Sequence, residues 1–193
     1  MSVIGNALAS ATVEETFEKD ILIYDLGELL SVLAIAPDPD VILNDKFLTV
    51  KWGSSKVKYS YSDREIMRDS IAASTKQVKF PDPDVEFVLT VEMLASIHKA
   101  ASILKAGFIS IFSEDGKVLV KVFDKGLVNG NTFILETDVE TDLEFSAVVE
   151  VSNLKFLIDN YNVSVSSKNI CRFSSCSNDL IYYVTLDVSS RFQ

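Results

Sequence analysis

From Leu43 onward apolar and polar residues alternate in short runs rich in Val, Ile, Phe, Tyr and Thr, the pattern of strands buried on one face. The runs are VILND, KFLTVKW, KVKYSYS, FISIFS, KVLVKVFD, NTFILETD, LEFSAVVEV, NVSVSS and LIYYVTLDV, separated by Asn, Asp, Gly and Ser. FISIFSEDGKVLVKVFD is the clearest hairpin. Asp115-Gly116 supplies a turn with positive φ, and Ile109 and Ile111 alternate on one strand as Val118, Val120 and Val122 do on the other.

Helical periodicity is sparse. Asp25 followed by Glu28 reads as a capping box opening DLGELLSVLAIA, with Leu26, Leu29, Leu30 and Leu33 as its apolar stripe. In TVEMLASIHKAASILKAG, Thr90 can cap a helix whose buried stripe is Leu94, Ile97, Ala101 and Leu104. A third and shorter helix is expected over SNLKFLID, with Leu154 and Leu157 facing in.

Two echoes organise the chain. IYDLGELL and EVSNLKFL both read as a strand running into a short helix, which suggests a duplicated strand-helix-strand unit with residues 62–84 as the connection. The prolines fall in Pro37-Asp38-Pro39-Asp40-Val41 and Pro81-Asp82-Pro83-Asp84-Val85, where Asp-Pro turns open a strand.

The chemistry of catalysis is missing from this pattern. There is no phosphate-binding Gly loop, no dinucleotide fingerprint and no nucleophile elbow. His98 sits mid-helix without an acidic residue at helical spacing to orient it, and Cys171 and Cys176 have no metal-ligand cluster around them. Neither an enzyme nor a cofactor or metal site is expected. The longest apolar runs fall short of the roughly 20 residues that a membrane span needs, and the N-terminus does not read as a secretion signal.

Charge changes the picture. With 28 acidic against 18 basic residues the net charge is -10, which argues against a surface that wraps nucleic acid all round. Yet the outward face of the second helix carries Ser96, Lys99 and Ser102 with Lys105 at its end, and Lys155 points outward from the third. Small polar groups around a few lysines suit sequence-independent contact with phosphates; a solvated helix face would look the same.

The succession DILIYDLGELLSVLAIAPDPDV, FVLTVEMLASIHKAASILK, GKVLVKVFDK, VSNLKFLIDNYNVSVSS and YYVTLDVSSRF resembles, in order and over nearly the whole chain, the sliding clamps of T-even-type bacteriophages. The resemblance implies an α+β DNA clamp fold of two similar domains of antiparallel sheets with pore-facing helices. The expected division is a first clamp domain over 1–62, a connector over 63–84 and a second clamp domain over 85–193. Judged against domain symmetry, the first copy would be expected to lack about 30 to 40 residues at its front, including one pore helix.

What the resemblance implies for function is topological. Three subunits would close head to tail around duplex DNA and tether the replicative polymerase for processive synthesis in the cytoplasm of the infected host. Lys99, Lys105 and Lys155 would face DNA, with Ser96, His98, Ser102 and Lys125 beside them. Polymerase, clamp loader and late transcription factors would dock peptide tails on Ile66, Met67 and Ile71 of the connector and on Val188 and Phe192 of the tail. Edge strands within NTFILETD and KVKYSYS would join neighbouring subunits. The rival reading is a scaffold with the same duplicated fold that does not touch DNA.

Overall fold

Asp115 (φ 51°) and Gly116 (φ 76°) both take the left-handed conformation that a two-residue hairpin turn requires, and they join β6 (Phe108–Glu114) to β7 (Lys117–Phe123) with Glu114 opposite Lys117. Ile109, Ile111, Val118, Val120 and Val122 are each at most 2% exposed, so the alternation read from the sequence is the burial pattern of the hairpin. The computed structural model describes residues 6–68, 71–72, 78–127 and 129–193.

The chain forms two compact units, one of Met1–Glu14 with Val78–Gln193 and one of Glu15–Gln77. In the larger unit, β1 (Ala7–Ala11), β12 (Leu180–Thr185), β11 (Ile170–Ser175), β10 (Tyr161–Ser166) and β5 (Val85–Leu89) form one antiparallel sheet in that order. A second sheet has the order β13 (Arg191–Phe192), β9 (Phe145–Glu150), β6, β7, β8 (Phe133–Glu140). Helix α2 (Val91–Leu104) joins them around one core that includes Ile97, Val120, Val149, Leu154, Tyr161 and Phe173.

The unit limits differ from the domain limits read from the sequence. Ala7–Ala11 pairs antiparallel with Leu180–Val184, Ala7 opposite Val184 and Ala11 opposite Leu180, and Thr12 N–H donates to the Asp179 carbonyl, so the first strand is held by the last third of the chain. Part of the expected connector, residues 69–70 and 73–77, lies outside the described residues.

The smaller unit packs α1 (Leu26–Leu33) on a sheet of β2 (Asp40–Leu43), β3 (Phe47–Trp52) and β4 (Ser55–Ser60). The Asp25 carboxylate caps α1 by accepting from Glu28 N–H at 2.9 Å. The expected four-leucine stripe needs correction. Leu29 is buried against Leu48 and Val50 with Val32 and Leu33 half-buried beside it, whereas Leu26 and Leu30 are 59% and 55% exposed. With β2 exposed along its length, α1 lies on β3 with Tyr59 of β4 beside it, a surface narrower than the stripe.

The expected third helix is also corrected. Val151–Asn153 makes a single 3-10 turn and the chain then runs irregularly. Leu154 is fully buried and the Phe156 ring packs against Tyr161, Phe173 and Tyr182, while Leu157 is 64% exposed. Inward side chains two residues apart follow the extended period, which an α-helix cannot satisfy.

Candidate nucleic-acid interface

Helix α2 begins where the Thr90 hydroxyl accepts from Met93 N–H at 3.2 Å. Leu94, Ile97, Ala100 and Ala101 face the core and Leu104 is half-buried, leaving Ser96, Lys99 and Ser102 exposed on the opposite face. At the end of the helix Lys105 takes the left-handed cap conformation (φ 52°), and Ala106 N–H returns to the Ala101 carbonyl at 2.9 Å. Its ammonium group thus stands at the negative end of the helix dipole.

His98 is half-buried on the flank of that face. Its Nε2 lies 3.0 Å from the carbonyl of Leu154, a geometry in which Nε2–H donates, and it therefore joins α2 to the irregular segment that carries the exposed Lys155. Among the described residues none of Lys99, Lys105 and Lys155 has an ion-pair partner. Lys125 is different. It pairs with Asp187 and lies 4.1 Å over the Phe108 ring, so its charge is already engaged within the unit.

One feature of this face was missed by the periodicity. Ile103 is 69% exposed and, with Ser96, Lys99, Thr132 and Phe133, lines an apolar pocket of about 370 Å³ beside the start of β8. The stripe through Leu94 and Leu104 hid it, because an isoleucine next to a buried leucine adds nothing to the helical period. An exposed apolar side chain beside an open strand edge suits contact with another protein surface.

The expected partner-docking residues divide. Ile66 is 67% exposed, and Met67 and Ile71 are half-buried, Met67 N–H donating to the Asp63 carbonyl and Ile71 N–H to the Met67 carbonyl. Val188 is 99% exposed on a turn fixed by Asp187, which accepts from Ser189 N–H at 2.8 Å. Phe192 is half-buried in β13, stacked on Phe145 with ring centroids 5.8 Å apart, so its ring closes the core.

Asp159 anchors the end of the segment that carries Lys155. It is 7% exposed and accepts from Ser175 Oγ, Ser177 Oγ, Asn178 Nδ2 and the backbone N–H of Asn160 and Ser177. These bonds, that from Ser175 foremost, hold its carboxyl down at about 2; the Lys125 ammonium and the Ser189 donors hold Asp187 at about 2 as well. Both values lie below those of the unfolded chain, so the stability they confer is complete above about pH 4 and is lost as pH falls towards 2. We expect the urea midpoint to decline through that window and the Asp159→Asn, Asp187→Asn double variant to show a flatter acid limb. An identical limb in both proteins would refute the assignment.

Among the described residues no group of three or more His, Cys, Asp or Glu is placed to hold a metal ion, and no helix is long and apolar enough to cross a membrane. Cys171 is buried, which pushes its thiol above the usual range, and Cys176 is exposed.

No protein-family model matches the chain. It is 26% identical over 191 residues to a protein of Vibrio phage KVP40 named sliding clamp, covering 95% of this chain and 84% of that one. A sliding clamp of Escherichia phage RB69 is 25% identical over 198 residues, covering 98% and 84%. Among solved structures, the DNA polymerase III subunit beta of Borrelia burgdorferi superposes with a TM-score of 0.65 at 11% identity over 97% of this chain. The chain spans about half the length of that bacterial subunit, 52%. The antiparallel sheets with few helices are those of the DNA clamp fold. In sequence the chain is thus similar to the sliding clamps of T-even-type bacteriophages, and its fold is that of the DNA clamps.

Proposed function

We propose that the chain is a subunit of a ring that encircles duplex DNA and tethers the replicative polymerase of the phage, acting in the cytoplasm of the infected host. The observation that carries this reading is the placement of Lys99, Lys105 and Lys155. In a chain of net charge -10 these three lysines are exposed and, among the described residues, without ion-pair partners, and His98 links the helix of the first two to the segment of the third. Ammonium groups among serines attract phosphates by weak and exchangeable Coulomb forces and read no bases, which permits sliding. The acidic remainder of the surface repels DNA.

The work done by such a ring is topological. Three copies, as in the family that the sequence resembles, would close through open strand edges, and β8 and β4 each end a sheet. The pocket of Ile103 and Phe133 beside β8 offers apolar surface for that contact. Polymerase, clamp loader and late transcription factors would use the exposed Ile66 and Val188 as anchors.

The test is retention. Loaded by its loader on nicked circular DNA, the protein should co-elute with the circle in gel filtration and be released when the DNA is cut once. Persistence on the linear product would refute encirclement.

A further inference from the structure

The segment from Leu154 to Leu157 carries Lys155 yet has no regular backbone ladder to hold it. Side chains hold it from two sides. His98 of α2 reaches the Leu154 carbonyl at 3.0 Å; from the sheet, Tyr182 Oη accepts from Leu157 N–H at 3.2 Å and Tyr161 Oη donates to the Leu157 carbonyl at 2.7 Å. The Leu154 carbonyl also accepts from Phe156 N–H at 2.8 Å, so both of its lone pairs are used. The tyrosines fix the segment to the sheet, whereas His98 alone among these groups belongs to the helix that presents Lys99. His98 and Lys99 are successive residues, about 100° apart around the helix axis, so the imidazole can turn inward to the segment while the neighbouring ammonium remains exposed.

We infer that His98 is a positioning residue for DNA contact: it holds Lys155 in fixed relation to Lys99, so that the two cations meet the duplex as one preorganised pair. The inference rests on the proposed DNA-facing role of those lysines. A lysine on an unheld segment must lose conformational freedom each time it meets a phosphate, and a pre-tethered backbone reduces that loss. Asn160 downstream also reaches α2, its Oδ1 accepting from Val91 N–H at 2.9 Å, but it meets the first residue of the helix and lies beyond the segment, so His98 is the tie that stands next to Lys99 and Lys155.

The experiment is a double-mutant cycle on loader-dependent loading of the full chain onto nicked circular DNA, with thermal melting of every variant as a check on folding. His98→Phe keeps ring volume but removes the donor; His98→Gln keeps a donor at the position of Nε2; His98→Asn, too short to reach, replaces His98→Phe should that variant fail to fold. We expect roughly a fivefold loss of loading in His98→Phe, the effect of one hydrogen bond, and recovery to within about twofold in His98→Gln. In a Lys155→Ala background His98→Phe should cause no further loss. Equal losses in the two backgrounds, or no rescue by His98→Gln, would overturn the positioning role while leaving the DNA-facing reading intact. A wild-type level of loading in Lys155→Ala alone would overturn both.

Discussion

Reversing Lys99, Lys105 and Lys155 together to glutamate is expected to lower loading onto primed circular DNA by more than about tenfold near 0.15 M salt, with the melting temperature changed little. The three side chains are exposed and have no ion-pair partner among the described residues, so no pair seen among those residues is broken. Each lysine that touches a phosphate contributes roughly one unit to the log-log salt slope, and the variant should show a flatter slope by that measure. Retention offers the internal control. Rings of the variant that do load should leave the circle no faster than wild type, since escape depends on opening the ring and not on attraction to DNA. Loading that is indifferent to the reversal would instead favour a scaffold that does not touch DNA.

Phe156→Ala is the substitution expected to cost the most stability, about 3 kcal/mol. The Phe156 ring lies 4.1 Å from the Tyr182 centroid, 4.9 Å from that of Phe173 and 5.3 Å from that of Tyr161, so its loss leaves three aromatic neighbours facing a void. The urea midpoint should fall with little change in the slope of the transition. Leu157→Ala next to it should stay within about 0.5 kcal/mol because Leu157 is 64% exposed. Equal costs at the two positions would mean that the segment is helical after all, with Leu157 turned inward.

Why some elements were legible and others not follows from which force decides each. The β6–β7 hairpin and α2 are local: a turn with positive φ, a capping threonine and a clean period settle them within about fifteen residues. Strand β1, with sequence ALASA, has no β propensity to speak of and exists because β12 offers it an edge. The run ICRFSS of β11 is absent from the strand runs read from the sequence; its burial of Cys171 and Phe173 becomes visible only once β10 and β12 flank it. At Leu154–Leu157 the sequence favoured a helix, and the aromatic cluster around Phe156 overrode that preference. For the candidate site, the exposure of Ser96, Lys99, Ser102 and Lys105 was readable from the period and that of Lys155 rested on a helix the segment does not form, while the engagement of Lys125 with Asp187 needed a contact across 62 positions of sequence that no pattern encodes.

Two of the open edges, β8 and β4, carry opposite charge. Strand β8 bears Glu136, Asp138 and Glu140 at alternate exposed positions, and β4 bears Lys56 and Lys58 in the same manner. Two copies brought together by β8 would set carboxylates against carboxylates, and two brought together by β4 would set ammonium groups against ammonium groups. Unlike edges attract. In the proposed ring, copies meeting through these strands would be sorted into a single direction, each lending its acidic edge to the basic edge of the next, with mirror-wise pairing discouraged before any side chain packs.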